Sequence, residues 1–251
     1  MESLSDSLKY FNPVSLDEMD NVKLMNRIDT KFVFRVERLP EFLRTIAHNY
    51  MILQVNDIRQ CSYENLYFDT LKLQLYLQHH NGKLNRYKVR YRRYVDSDTC
   101  FFELKFKNNK DRTIKDRVRR DQIEDKIEGN AEKLLQKKSF LQASELFPVV
   151  WIYYKRITLV SECSRERCTL DMDLSLKNDK ADCSFPNLVI AEVKQDKCCS
   201  SAFLNLMKES YIRSSTMSKY CFGIANVNQE IKKNIFKPKL NAIKKICYDQ
   251  S

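Results

Sequence analysis

Several segments of this chain alternate charged with apolar residues at a period of two, and arginine and lysine dominate the charged positions. Successive side chains of a β-strand point to opposite faces, so each segment predicts a strand with one charged and one apolar face. The residues on the charged faces are Arg27, Asp29 and Lys31; Arg86, Lys88, Arg90 and Arg92; Glu103, Lys105 and Lys107; Lys115, Arg117 and Arg119; Arg167, Asp171 and Asp173, with the uncharged Thr169 between them; and Glu192 and Lys194.

Two architectures satisfy this alternation. In one, the charged faces meet solvent and the apolar faces form the core of a sandwich. In the other, the sheet closes on itself with the charges inside, and helices cover its apolar outer face. Burying unpaired charges costs several kcal/mol per ion, so the second architecture requires water or a bound polyanion inside. The excess of arginine and lysine over carboxylates on these faces favours a hydrated tunnel in an α+β fold.

The segments between these strands carry helix signals. Ser15 and Glu18 have the spacing of a capping box, and Pro40 marks the first turn of an amphipathic helix. Further helices are predicted over 71–79, 131–146, 202–211 and in the lysine-rich region after residue 231. No repeat or linker composition interrupts the chain, which predicts one domain over 1–251, with a helical lead-in at 1–25 and a basic helical tail at 226–251.

The charge balance points to a polyanionic partner. The chain has 44 Lys+Arg and 33 Asp+Glu, a net charge of +11, which attracts nucleic acid, phosphate esters or anionic surfaces. Its only glycines, Gly82, Gly129 and Gly223, are too far apart for a P-loop or a dinucleotide-binding turn. Any phosphate binding must therefore use side chains, and the forked guanidinium of arginine suits phosphate oxygens.

The cysteine and histidine patterns predict no structural metal site. Nine cysteines include the adjacent Cys198 and Cys199 but no C-x-x-C motif, which is typical of reduced thiols packed as small apolar groups. We interpret His79 and His80 as a solvated helix end. The N-terminal residues lack a secretory signal pattern and no long apolar stretch is present, which predicts a cytoplasmic protein without a transmembrane segment.

Seven segments resemble the catalytic domain of the VTC-type polyphosphate polymerases, members of the triphosphate tunnel metalloenzyme (CYTH-like) superfamily. Together they extend from about residue 25 to about residue 225, and their order and spacing are more specific than any one of them. The segments are Arg27-Ile-Asp-Thr-Lys-Phe32, Tyr67-Phe-Asp-Thr70, Tyr87-Lys-Val-Arg-Tyr-Arg92, Phe102-Glu-Leu-Lys105, Thr169-Leu-Asp-Met-Asp173, Ala191-Glu-Val-Lys194 and Ser218-Lys-Tyr220.

The resemblance implies a closed tunnel of eight antiparallel strands, open at both ends, with a charged interior and flanking helices. It implies an enzyme that uses Mn²⁺ or Mg²⁺ to transfer the γ-phosphate of ATP to inorganic polyphosphate. The catalytic residues it implies are Lys31, Arg90, Arg92, Lys105, Arg156, Arg167 and Lys219. Further phosphate contacts are assigned to Lys88, Lys115, Arg117 and Lys194, and metal binding to Glu192.

Other residues receive supporting roles. Glu103 is interpreted as an internal counter-ion, Asp171 and Asp173 as partners that orient Arg167, and Tyr63, Tyr67 and Asp69 as packing residues near the tunnel wall. The segment 27–31 stands where the wider superfamily has Glu-x-Glu-x-Lys, so a second metal is not expected.

Two other functions remain open at this point. The same tunnel could hydrolyse triphosphate or nucleoside triphosphates, or the protein could bind a polyanion such as RNA or polyphosphate without catalysis. Nucleic-acid binding surfaces present aromatic and basic groups together, whereas Tyr87, Tyr91, Phe102 and Phe106 alternate with the cations. No specific nucleic-acid partner is therefore expected.

Overall fold

An antiparallel sheet dominates the computed structural model, which describes residues 3–20, 28–110, 112–161, 163–195, 201–216 and 218–248. The strands are β1 (Asn12–Val14), β2 (Ile28–Arg35), β3 (Met51–Leu53), β4 (Cys61–Asp69), β5 (Arg86–Tyr94), β6 (Thr99–Lys107), β7 (Thr113–Arg120), β8 (Phe147–Ser161), β9 (Glu166–Lys177), β10 (Asp182–Phe185) and β11 (Leu188–Gln195). The helices are α1 (Leu4–Leu8), α2 (Leu16–Asp20), α3 (Leu39–Ile46), α4 (Gln74–His80), α5 (Asn130–Lys138), α6 (Ala202–Glu209), α7 (Lys219–Val227) and α8 (Lys237–Tyr248). Arg27, Cys198 and Cys199 lie outside the described residues.

Eight strands follow one another in the order β2-β11-β9-β8-β4-β5-β6-β7, and every neighbouring pair in this order is antiparallel. The short strands β1, β3 and β10 add to this sheet at β3, β8 and β9. The predicted α+β class with a large antiparallel sheet is confirmed. The closed tunnel is not: in the described part of the chain, no backbone pairing joins the end strands β2 and β7.

The apolar face of the sheet is covered by helices, as the alternation predicts. Helices α3 and α6 pack on β2, β9 and β11 in one buried cluster that includes Phe32 and Leu170. Helix α5 packs on β5 and β6 in a second cluster, to which Tyr91 and Phe102 contribute fully buried rings. The charged residues of the same strands therefore point to the opposite face.

That charged face is concave. Glu192 on β11 and Lys105 on β6 are five positions apart in strand order, which would separate them by roughly 24 Å in a flat sheet. Solvent and salt screen charges at such a distance. Desolvation dominates the pKa of Lys105, but the Glu192 carboxylate still acts on it in the opposite direction. The sheet therefore curls and brings these two strands towards each other.

Helix α7 lies on this concave face and divides it. Tyr220, Phe222 and Ile224 pack against apolar side chains of β8, β9 and β11, so one part of the face is filled. The first residues of α7 meet the charged part: Ser218, the N-cap, accepts a hydrogen bond from Lys88 on β5 at 2.8 Å. The concave face thus combines an apolar region under α7 with a charged region beyond its N-terminus.

Gly223 allows α7 to approach the sheet this closely. A Cβ atom at this position would lie 3.0 Å from Ile152 Cδ1 and 3.3 Å from Val150 Cγ2, both on β8. Its backbone does not require glycine, since its φ is not positive, so the missing side chain serves the packing alone. Of the three glycines, this one determines how deeply α7 sits in the concave face.

Of two helix predictions, the structure confirms one and shortens the other. The capping box is confirmed, because Glu18 N–H donates to Ser15 Oγ at 3.3 Å and Ser15 N–H to Glu18 Oε2 at 2.8 Å. The helix predicted over 131–146 is too long. Helix α5 ends at Lys138. The next residue, Ser139, is extended, and its hydroxyl donates to the Leu135 carbonyl at 2.7 Å.

Within the described residues, no helix is long and apolar enough to cross a membrane. The seven described cysteines are free thiols.

Replacing Gly223 with valine should destabilise the protein. Its branched side chain must displace Ile152 or lift α7, and overpacking a core costs about 1–3 kcal/mol. Thermal unfolding followed by circular dichroism should show a loss of roughly 2–4 °C in Tm per kcal/mol. Lys244→Val, at an exposed position of α8, is the control for placing a valine in a helix where it meets no packed side chain. An unchanged Tm in Gly223→Val would show that α7 does not pack as described.

Candidate functional site

Three carboxylates, two of them buried and one half-buried, organise the charged part of the concave face, and each contacts two cations. The ion pairs join Glu103 to Arg90 and Lys115, Asp171 to Arg156 and Lys219, and Glu192 to Lys31 and Lys194. Each carboxylate together with its two cations therefore has a net charge of +1. Pairing offsets the cost of desolvating the cations, while the surplus positive charge makes the face attractive to an anion.

Glu103 is the most deeply buried member of the first group. Its side chain is 2% exposed, and its carboxylate receives Arg90 Nη2 and Lys115 Nζ, each at 2.5 Å. Burial disfavours ionisation, but Arg90, Arg92 and Lys115 outweigh it and hold the pKa of Glu103 well below its usual range. Arg90 also donates to the Tyr67 hydroxyl at 2.6 Å. The structure thus places Glu103 where a counter-ion is expected.

Asp171 orients Arg156, not Arg167. The Arg156 guanidinium donates through Nε and Nη2 to the two oxygens of Asp171 at 2.5 and 2.8 Å, in a forked pair. The interpretation that Asp171 and Asp173 together orient Arg167 is therefore wrong. Asp173 has a φ of +52° beside the irregular pairing of β8 with β9. Its side chain, 48% exposed, instead pairs with Lys155.

Glu192 is the most accessible of the three carboxylates. Its side chain is 19% exposed, against 2% for Glu103 and 1% for Asp171. Lys31 lies 3.0 Å and Lys194 2.5 Å from its two oxygens. Burial opposes ionisation, but these lysines hold the pKa of Glu192 well below its usual range. The described residues contain no group of three metal-ligating side chains.

Arg92 is held by neutral groups, unlike Arg90 and Arg156. It donates from Nε to Asn65 Oδ1 at 2.8 Å and from Nη2 to the Tyr154 hydroxyl at 3.1 Å. Asn65 is fully buried and donates in turn to the Ile152 carbonyl at 3.0 Å. No ion pair with a described carboxylate involves Arg92, so its charge is oriented but not cancelled.

Lys88 and Lys105 also lack a carboxylate partner among the described residues. They are register neighbours on β5 and β6. Lys88 donates to Ser218 Oγ. Desolvation, followed by the other cations, lowers the pKa of Lys105 to about 7 and that of Lys88 to about 8. The free-energy cost of desolvating positive charge on this face is therefore concentrated at Lys88 and Lys105.

The remaining predicted residues are Arg167, Arg117 and Lys219, which lie in different parts of the charged face. Lys194 pairs in register with Arg167 on β9. Arg117 lies on the exposed end strand β7, with its guanidinium 4.5 Å from the ring centroid of Phe101. The ammonium of Lys219 lies 5.1 Å from the ring centroid of Tyr154, so Arg156, Arg92 and Lys219 surround one tyrosine.

Tyr154 is the aromatic residue among the cations that the sequence reasoning missed. The Tyr63 and Tyr154 rings stack with centroids 5.1 Å apart, and the guanidinium of Arg156 lies 4.9 Å from Tyr63 and 5.2 Å from Tyr154. Such cation–π contacts hold arginines without neutralising them. The sequence did contain a signal for Tyr154: it is two residues from Arg156, so the two side chains share one face of the strand. Tyr154, however, belongs to an apolar run in which every residue looks buried.

The interpretation of His79 and His80 as a solvated helix end is wrong. His80 is 1% exposed. His79 accepts a hydrogen bond from Arg86 Nε at 3.0 Å through Nδ1. Burial, followed by Lys88, Arg86 and Lys105, lowers the pKa of His79 to about 2. Tertiary packing of α4 against α7 and β5 buries what appears in the sequence as a polar helix end.

Comparison with known proteins gives a family match and several distant structural matches. The model of the VTC domain family matches residues 26–228, which include all seven segments that carry the resemblance. No curated protein sequence matches the chain.

Solved structures with similarity include a candidate adenylate cyclase from Bacillus halodurans, at 15% identity and a TM-score of 0.48 over 77% of this chain and 94% of that one. A candidate adenylyl cyclase from Hippeastrum, HpAC1, described with a dominant triphosphatase activity, has 14% identity and a TM-score of 0.48 over 81% and 98%. A conserved hypothetical protein from Pyrococcus furiosus has 12% identity and a TM-score of 0.42 over 78% and 99%. At this level of similarity, none of the three supports a statement about function.

Lys105→Met should stabilise the empty protein below pH 7. The unfolded chain has the ordinary lysine pKa near 10.5 and the folded chain about 7, so the unfolded state binds more protons between these values. Stability therefore rises with pH across this window, and the full cost of the charge is present below it. Methionine removes that cost, so the variant should have the higher Tm at pH 6, and the difference should shrink towards pH 10. A lower Tm for the variant at pH 6 would contradict this electrostatic account.

Proposed function

Because the chain belongs to the VTC domain family, we propose that it is a metal-dependent polyphosphate polymerase. It transfers the γ-phosphate of ATP to the end of an inorganic polyphosphate chain on the concave charged face. The observation that carries the proposal is the charge surplus: three carboxylates hold two cations each, and Arg92, Lys88 and Lys105 have no carboxylate partner among the described residues. A polyphosphate supplies the missing negative charge over an extended length.

The cations divide into two roles in this proposal. Arg90 and Arg156 are fixed by forked or multiple contacts to carboxylate and tyrosine groups, so each presents its remaining donors in one orientation. Fixed donors stabilise the charge that develops on the transferring phosphoryl group without reorganisation. Lys31, Lys105, Lys115, Lys194 and Lys219 supply point charges along the path, with Lys88, Arg92, Arg117 and Arg167.

Glu192 fits a metal that arrives with the phosphates. Mg²⁺ usually takes one or two protein carboxylates and completes its shell with water and phosphate oxygens. Glu192 is a single carboxylate, the most accessible of the three, and its lysine partners could transfer to phosphate oxygens when substrate binds. A bound Mn²⁺ or Mg²⁺ would neutralise charge between adjacent phosphates. The donor set suits one such ion and does not suggest a second.

The state of the carboxylates favours polymerisation over hydrolysis. Attack by water benefits from a general base whose pKa lies near the working pH. Glu103, Asp171 and Glu192 are each paired with two cations, and the pKa of each is lowered, so they are poor bases. The terminal phosphate of a polyphosphate chain is already an anion and can attack without losing a proton to the protein. Carboxylates in this ionised, paired state therefore suit a polyphosphate end as the group that attacks the γ-phosphate better than they suit water.

Incubation of the purified chain with ATP and Mn²⁺, followed by chain-length analysis on gels, tests this function. The wild-type protein should form long, acid-labile phosphate polymer. Arg90→Gln should reduce its formation by at least tenfold, because losing a charge-assisted contact to phosphate costs about 1.5–3 kcal/mol.

Arg93→Gln provides the matched control for this variant. It removes an arginine from the same strand on the opposite face, where the side chain is 42% exposed and pairs with Asp98. Its activity should remain near that of the wild type. Release of orthophosphate without polymer would identify a triphosphatase, and no turnover by a folded protein would leave only polyanion binding.

A further inference from the structure

The cationic row of β5 continues beyond the residues given roles above. Arg86 precedes Lys88 by two residues on the same face of the strand, about 7 Å further along. It pairs in register with Lys107 on β6, as Lys88 pairs with Lys105. The Lys88–Lys105 pair places one cation directly opposite another, an arrangement that is destabilising unless an anion lies between them.

Arg86 has no carboxylate partner among the described residues. Its Nε donates to His79 Nδ1 at 3.0 Å, and its Nη1 donates to the Lys83 carbonyl at 2.8 Å. Two neutral acceptors thus hold the guanidinium in one orientation and leave its charge uncancelled, and neither of these two contacts uses Nη2. This is the same arrangement by which Asn65 and Tyr154 hold Arg92.

His79 adds a neutral donor beside this guanidinium. Because Nδ1 accepts from Arg86, the uncharged ring carries its proton on Nε2. That nitrogen is buried and has no hydrogen-bond partner of ordinary geometry among the described residues. Burial, then Lys88, Arg86 and Lys105, keep the ring neutral, with the Tyr87 carbonyl acting weakly in the opposite direction. The ring of Tyr220 lies near it, with centroids 6.1 Å apart.

We propose that Arg86 and His79 form an outer phosphoryl subsite that distinguishes a long polyphosphate chain from a triphosphate. The inference rests on the proposed function and extends it to chain-length selectivity. The row from Arg86 to Arg92 spans six residues, about 20 Å of strand, which exceeds the reach of three phosphoryl groups. A triphosphate bound around Lys105 and Arg90 does not engage Arg86, whereas a longer linear chain does.

Equilibrium binding of tripolyphosphate and of long-chain polyphosphate to the full chain, at one ionic strength, tests the subsite. The wild type should bind the long chain more tightly. Arg86→Gln should weaken long-chain binding by about tenfold, as expected for one charge-assisted contact, while tripolyphosphate affinity changes by less than twofold. His79→Phe should weaken long-chain binding in the same selective way, and Arg86→Lys should recover most of the loss. Arg93→Gln serves again as the control for an arginine lost from β5, and the Tm of each variant verifies folding.

The outcomes separate the two proposals. If Arg86→Gln weakens both ligands equally, Arg86 belongs to the triphosphate site; if it weakens neither, it contacts no phosphate. Either result overturns the subsite and leaves the proposed function standing. If the wild type binds neither ligand, the proposed function and the subsite both fail.

Discussion

Pairing each carboxylate of the concave face with two cations is the interaction on which this structure depends. A concave face lined only with arginine and lysine would be too costly to fold, and a face with equal numbers of both charges would not attract an anion. The observed face lies between these two extremes, because it has three carboxylates, Glu103, Asp171 and Glu192, for a larger number of cations. Their partners are held in place and the surplus positive charge remains. Stability and affinity for a polyanion are therefore opposing demands on the same side chains, as is common at functional sites.

The fold supports this compromise by separating the charged from the apolar part of one concave surface. Helix α7 fills the apolar part, and Gly223 allows its close approach to Ile152. Its first residues then reach the charged part, where Ser218 accepts from Lys88 and Lys219 pairs with Asp171. A helix that packs through a glycine thus helps to position cations supplied by the strands.

Local patterning predicted the strands well because it depends only on the two faces of a strand. The rows at Arg90 and at Lys105 lie where the alternation places them. It failed at Asp173, where a left-handed backbone conformation turns the side chain out of the row and leaves Asp171 to pair with Arg156. It also failed at His79, whose environment comes from other elements, and at Tyr154, which lies within an apolar run. Contacts between distant strands decide these cases, and no local period encodes them.

The central claim is that the concave charged face is a polyanion site, and a thermal shift tests it most directly. A ligand that binds only the native state adds about 2.7 kcal/mol at a hundredfold excess over its Kd, which corresponds to a rise of roughly 5–10 °C in Tm for a domain of this size. Tripolyphosphate should produce such a rise. Sulfate at matched ionic strength should produce much less, because one small anion cannot bridge arginines on several strands. Equal shifts by the two anions, unchanged in Arg90→Gln and Arg156→Gln, would contradict the account.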